Sequence, residues 1–160
     1  MKERIAVFPA SFDPITKGHE EIARRALPLF DRIIMAIGVN SKKKTLFSLN
    51  QRRQWLEDVF ADEPKISVDC FENLTVDYCK RIGAKYLIRG LRNASDFDYE
   101  KTISQLNHII GDGIETIFFI SLPEYSHISS TIVREIIKGG GDASPFVPDK
   151  VNFEGAEYAR

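Results

Sequence analysis

The chain reads as an α/β domain built on a doubly wound, five-stranded parallel sheet. Three observations lead there. Five short apolar runs, at 4–8, 32–39, 65–71, 85–90 and 116–122, are separated by segments of helical periodicity. Most of these runs are continuously apolar, as strands covered on both faces are, rather than alternating. A repeated strand–helix–strand succession in turn requires right-handed crossovers within a single sheet.

The elements follow in order. Arg4 to Phe8 is the first strand, stopped at Pro9. A helix from Gly18 to about Leu27 ends near Pro28, with Ile22, Ala23 and Ala26 on one face. "RIIMAIGV", 32–39, is the second strand. Ser48 opens a helix through Phe60, and Gln51 three residues on completes a capping box. "KISVDCF", 65–71, alternates in part and is the third strand. A short helix from Val76 to Ile82 is closed by Gly83, which supplies the left-handed turn. "KYLIRG", 85–90, is the fourth strand. A helix from about Asp96 to Ile110 carries Tyr99, Ile103, Leu106 and Ile110 at helical spacing. "TIFFISL", 116–122, is the fifth strand, and "SSTIVREIIKGGG" a capped helix running into glycines. Residues 1–160 form a single domain, with an irregular tail from about 139 that holds Pro145 and Pro148 and is loosely ordered at best.

Composition narrows the function. With 160 residues, 43% hydrophobic and 28% charged, the chain is of ordinary globular make-up. A net charge of −1 gives no global attraction to nucleic acid or anionic lipid, so neither is expected as a partner. The apolar run after Met1-Lys2-Glu3-Arg4 is too short for a signal-peptide core, and no stretch approaches the ~18 residues of a membrane span. Cys70 and Cys79 suit a reduced compartment as small buried thiols, so the cytoplasm is the expected location.

Ligands of such sheets sit beyond the carboxyl ends of the strands, near the reversal in strand order. The loops there are 9–17, 40–47, 71–75, 89–95 and 123–130. In the first, a helix starting near Gly18 aims free N–H groups and a positive dipole end at the crevice, which favours phosphate. Gly18 permits close approach, His19 can donate to a phosphate oxygen, and Ser11 can donate from across the loop; the competing role for His19 is to cap or pack at the helix start. The second loop holds Lys42, Lys43 and Lys44, at least two of them solvated and one able to point inward as a charge for phosphate. In the fourth, Arg89 ends a buried strand with Gly90 and Arg92 behind it. A guanidinium suits phosphate, the alternative being an ion pair with Asp96, Asp98 or Glu100. In the fifth, Ser129, Ser130 and Thr131 open a helix: one is the N-cap, and together with neighbouring amides they form a second phosphate cradle. The convergence suits a polyphosphate substrate. His19, His108 and His127 lack metal-ligand spacing, so no protein-held zinc is expected.

"T-x-G-H" at 16–19 after "SFDP", with "ISSTIVR" at 128–134, resembles the nucleotidyltransferase superfamily and its Rossmann-like fold. "SFDPITKGH", "SKKKTLF", "LIRGLRNASDFDYE" and "ISSTIVRE" more closely resemble the phosphopantetheine adenylyltransferases, in that family's order and spacing, over residues 4 to 150. The resemblance implies transfer of the adenylyl group from ATP to 4′-phosphopantetheine, giving dephospho-coenzyme A and pyrophosphate. It implies that His19 stabilises the transition state, that Ser11 orients both substrates, and that the Phe12 backbone lies against ATP. Lys43 and Arg89 would hold the acceptor phosphate, with Lys43 also aiding transfer, and Thr75 would line the pantetheine arm. Gly90, Leu91, Arg92 and Glu100, with Tyr125, Ser126, His127, Ile128, Ser129, Ser130 and Thr131, would bind ATP. Mg²⁺ is implied as the ion ATP carries in, without protein side-chain ligands. Assembly as a homohexamer is implied too, and coenzyme A is a candidate feedback ligand on which the sequence itself is silent. Ala10, Thr75, Tyr125 and His127 depart from the family's commonest residues. The rivals are a nicotinamide-dependent oxidoreductase, whose G-x-G-x-x-G is replaced here by "PASFDP", another small-substrate nucleotidyltransferase, and a non-catalytic nucleotide-binding module.

Overall fold

The computed structural model describes residues 1–160. Strands β1 (Ile5–Ala10), β2 (Arg32–Val39), β3 (Ile66–Glu72), β4 (Tyr86–Leu91) and β5 (Glu115–Ile120) form one sheet in the order β3-β2-β1-β4-β5. All four pairings are parallel. Between them run α1 (Lys17–Ala26), α2 (Leu49–Val59), α3 (Thr75–Ile82) and α4 (Ala94–Ile110), and α5 (Ser130–Lys138) follows β5.

Strand alternation sorts the core into two layers. Ala6, Phe8, Ile33, Met35 and Ile37 face one way and pack with Ile22 and Ala26 of α1, Trp55, Leu56 and Val59 of α2, and Val133 of α5. Ile5, Val7, Ile34, Ala36 and Leu87 face the other way, against Val76 and Cys79 of α3. Both faces of the central strands are therefore covered, which is why their sequences read as unbroken apolar runs. Burial pushes the Cys79 thiol up to about 11. No helix is long and apolar enough to cross a membrane.

Strand order reverses between β1 and β4, and there the sheet opens. These two strands pair only at Ala6↔Tyr86 and Val7↔Leu87, whereas β1 stays in register with β2 as far as Ala10. Pro9, expected to end the strand, lies within it. It has no N–H to leave unpaired on the splayed side, and its carbonyl accepts a hydrogen bond from the Arg89 guanidinium across the gap.

Three expectations are corrected. The capping box expected at Ser48 is only half formed. Ser48 Oγ accepts from the Gln51 N–H at 3.1 Å, but Gln51 Oε1 instead accepts from the Glu157 N–H at 3.0 Å. The stripe read on α4 is not core: Glu100 is that helix's one buried residue, while Tyr99, Leu106 and Ile110 are 68%, 53% and 47% exposed. The segment after Gly139 does lack regular structure apart from a short 3₁₀ turn at Ser144–Phe146, but it is not loose. Ala143, Val147 and Val151 are buried, and the Phe153 ring lies 5.9 Å from Phe47 and 5.7 Å from Trp55. The apolar stripe of α2 needs a cover, and the tail supplies it.

Candidate active site

The chain leaves β1 through Phe12, whose φ of 46° is in the left-handed region. For a non-glycine residue this costs on the order of 1–3 kcal/mol. Burial of the ring offsets it: Phe12 sits 5.7 Å from Phe8 and 5.1 Å from the imidazole of His19, nearly perpendicular to it.

Ser11 and Lys43 are brought together by groups that sequence reading missed. The buried carboxylate of Asp13 accepts from the Leu46 and Phe47 N–H groups at 2.8 and 2.9 Å, tying the first loop to the second. Arg52, also buried, donates to the carbonyls of Ser11 at 2.7 Å and Phe47 at 3.2 Å. Its position was legible. Arg52, Trp55, Leu56 and Val59 share the i, i+3, i+4, i+7 face of α2, and a charge on a core face needs a reason. So fastened, the second loop places the Lys43 ammonium 2.8 Å from Ser11 Oγ, to which it donates. All three lysines of the loop are exposed, and Lys43 is the one whose side chain bonds into the site.

His19 has both of its expected roles open to it. As third residue of α1 it forms a reciprocal cap: its N–H donates to Thr16 Oγ1 at 3.3 Å, and its Nδ1 accepts from the Thr16 N–H at 3.0 Å. An Nδ1 that accepts a backbone N–H carries no proton, so in the neutral ring the hydrogen is on Nε2. Capping therefore fixes the tautomer and leaves Nε2–H as a donor on the cavity side. Burial, and then the charges of Arg89 and Arg92, hold the imidazole down to about 3 from its ordinary 6.5, so it stays neutral.

Arg89 does make the ion pair weighed against it. Its Nε and Nη2 donate to the two oxygens of Glu100 at 3.0 and 2.6 Å, and Nη1 donates to the Pro9 carbonyl. The pair is not locked into the interior: the side chains are 32% and 11% exposed and line the open rim. Three of the five guanidinium N–H groups are engaged, and two remain. Arg92 pairs with Asp96 at 3.2 Å. Gly90 lets α1 pack closely, since a Cβ there would stand 2.4 Å from Ile22 Cδ1 and that methyl would have to turn aside.

At the start of α5 each hydroxyl makes one bond within the protein. Ser129 Oγ accepts from the Ile132 N–H, Ser130 Oγ donates to the Pro14 carbonyl, and Thr131 Oγ1 accepts from Arg134. Ser130 has spent its donor, whereas Ser129 and Thr131 only accept and keep their O–H groups, which with the free amides are what this terminus has to offer an anion. Arg134, another missed residue, also donates to the Asp13 carbonyl at 2.9 Å.

Two adjoining cavities of about 290 Å³ each open here. His19, Lys43, Gly90, Arg92, Arg134 and the helix starts of α1 and α5 line the first. Phe71, Thr75, Tyr99, Ile103 and Asn107 line the second. Ala10, Ser11, Arg89 and Glu100 line both and form the boundary. Phe12, Tyr125, Ile128, Ser129, Ser130 and Thr131 fall on the first cavity as expected, and Thr75 on the second. Leu91, Ser126 and His127 line neither. Leu91 is buried, Ser126 donates to the Pro123 carbonyl within its own turn, and His127 is exposed.

Residues 7–136 match the Cytidylyltransferase-like family. The chain is 51% identical over 151 residues to the phosphopantetheine adenylyltransferase of Flavobacterium psychrophilum, covering 94% of this chain and 99% of that one. The enzyme of the same name from Lachnoclostridium phytofermentans is 45% identical over 148 residues, covering 92% and 91%. Among solved structures, a bifunctional NMN adenylyltransferase/ADP ribose pyrophosphatase from Francisella tularensis superposes with a TM-score of 0.70 at 17% identity. That match takes in 98% of this chain but spans only 47% of the larger one, and it speaks to the fold alone.

Proposed function

The chain belongs to the phosphopantetheine adenylyltransferases, within the cytidylyltransferase-like family, and on that premise we propose how its two cavities divide the work. ATP fills the first, its triphosphate at the two helix starts and its α-phosphate at the boundary. 4′-Phosphopantetheine fills the second, with the arm past Thr75 and the phosphate at Ser11, Lys43 and Arg89. Transfer joins a phosphate oxygen of the acceptor to the α-phosphorus and releases pyrophosphate, giving dephospho-coenzyme A. The attacking oxygen is already anionic at neutral pH, so no general base is required. What remains is alignment and the neutralisation of charge growing on the α-phosphate.

The observation that carries this reading is the imidazole with Nδ1 occupied by the Thr16 N–H, lining one cavity with the Ser11–Lys43 pair. Nε2–H of His19 donates to the α-phosphate oxygen as charge builds there. Lys43 shields the two phosphates from each other, and the two unengaged Arg89 donors hold the acceptor. No group of three or more His, Cys, Asp or Glu side chains stands together, and the donors present suit phosphate oxygens rather than a cation. Magnesium would therefore arrive on the triphosphate and supply charge neutralisation there. Coenzyme A, which contains the product's pantetheine arm and nucleotide, would compete for both cavities. Hexamer assembly in the cytoplasm completes the proposal; the exposed apolar face of α4 and the exposed Ile120 at the sheet edge support self-association.

Incubation with ATP, magnesium and 4′-phosphopantetheine, with products identified by mass, is expected to give dephospho-coenzyme A and pyrophosphate. Adenylylation of nicotinate mononucleotide or glycerol 3-phosphate in its place would overturn the assignment of the acceptor. Gly18 supplies a subtler check. A Cβ there would meet its nearest protein atom at 3.6 Å, an ordinary contact, so the fold itself does not demand glycine. Gly18→Ala is expected to keep or raise stability, by up to about 1 kcal/mol of helix propensity. It should nonetheless lower kcat/KM for ATP, because the methyl group stands where phosphate approaches. Unchanged kinetics would remove the phosphate from that helix start.

A further inference from the structure

We propose that the last residues of the chain are a positioning strap for Lys43. Glu157, Tyr158 and Ala159 are exposed, so they add little to the core that Val151 and Phe153 already close. They nevertheless direct their backbone at one short segment. The Ala159 N–H donates to the Leu46 carbonyl at 2.9 Å, and the Glu157 carbonyl accepts from the Ser48 N–H at 3.0 Å. The Glu157 N–H is the group that draws the Gln51 side chain away from its cap. Tyr158 forms an antiparallel bridge with Phe47, and its ring lies 5.1 Å from the Phe47 ring.

Leu46 to Ser48 is the anchor from which the lysine loop springs. Its inner side is held by Asp13 and Arg52, and its outer side by the strap. Lys43 stands three residues before Leu46, within ~11 Å of extended chain, and is otherwise held by a turn bond to the Asn40 carbonyl and by Ser11. Ala159 and Arg160 line the same small cavity as Ser11 and Lys43, so strap and ammonium share one wall. Releasing the outer side lets the anchor shift, and the ammonium moves with it. An ångström at a reacting phosphate is costly even when the fold is intact. The Tyr158 to Ala159 stretch thus acts through Lys43 rather than touching substrate itself.

This rests on the proposed placement of Lys43 at the phosphates, and the test separates the two. Ala159→Pro removes the N–H that bonds Leu46, and Tyr158→Ala removes the ring over Phe47. Each is combined with Lys43→Ala and, separately, with His19→Gln. Alone, Ala159→Pro is expected to lower kcat/KM for 4′-phosphopantetheine on the order of tenfold, with little change in Tm. In the Lys43→Ala background the further loss should shrink to within about twofold, while in the His19→Gln background it should persist in full. An equal loss in both backgrounds would mean general loosening and would overturn the strap, as would normal kinetics for both tail variants. If Ala159→Pro fails to fold, the same cycle is read with Tyr158→Ala. A silent Lys43→Ala would instead strike at the active-site reading, and the strap would fall with it.

Discussion

Replacing His19 by alanine is expected to lower turnover ~10²–10³-fold while ATP affinity stays within a few-fold, the behaviour of a donor used mainly in the transition state. Alanine also removes a helix cap, worth about 1 kcal/mol, because the Thr16 N–H loses its acceptor. His19→Gln separates the two losses. Threonine followed three residues later by glutamine is itself a capping box, so stability should return while turnover stays low. Recovery of both in the glutamine variant would reduce His19 to a cap.

The depressed imidazole carries a signature in pH. Between about 6.5 and about 3 the unfolded chain binds a proton at His19 that the folded chain refuses. Stability from this group is present above the higher value and is lost as pH falls toward the lower one. The rate should show no His19 inflection from pH 6 to 9. An inflection near 6.5 that disappears in His19→Gln would contradict a neutral donor.

Arg89→Ala is expected to weaken 4′-phosphopantetheine binding ~10–100-fold, the loss of charge-assisted hydrogen bonds to phosphate. The Glu100 pairing adds a second effect. Removing the guanidinium strands a nearly buried carboxylate and should lower stability by about 2–3 kcal/mol, toward the small end for such a pair because the rim is partly wet. Adding Glu100→Ala should recover most of the stability and none of the affinity. Calorimetry and thermal unfolding on the single and double variants read both quantities. Affinity that returned together with stability would make Arg89 a structural partner of Glu100 and nothing more.

How far the sequence could be read follows from how much each residue's role depends on distant neighbours. The strands stood out because a sheet buried on both faces leaves no room for polar residues over runs such as Ile33 to Ile37. The left-handed Gly83 at the end of α3 was equally legible, because that conformation is a local matter. Caps were harder. The Ser48–Gln51 pattern was true to rule and was half overridden by a tail more than a hundred residues away. The working box, Thr16 with His19, uses a residue that the usual pattern does not include. Asp13 and Arg134 show no local signal, since their value lies in bonds to loops distant in sequence. The apolar spacing on α4 marked a stripe that the chain itself leaves exposed, because periodicity tells which residues share a face and not whether the chain covers it.

The missing side chain at Gly90 has a consequence for the shape of the mouth. With the Ile22 Cδ1 methyl standing where a Cβ would go, the end of β4 and the body of α1 lie in close contact in the core. The segment 123–128 is bonded within itself, from Tyr125 to Leu122, Ile128 to Tyr125 and Ser126 to Pro123, and anchored to the core by buried Ile128 and by Tyr125 packed on it. Nucleotides of different bulk should therefore be met chiefly at the exposed residues between those anchors, Pro123, Glu124 and His127. Crystals grown with ATP and with a bulkier purine analogue would superpose along 86–91 and differ along 123–128.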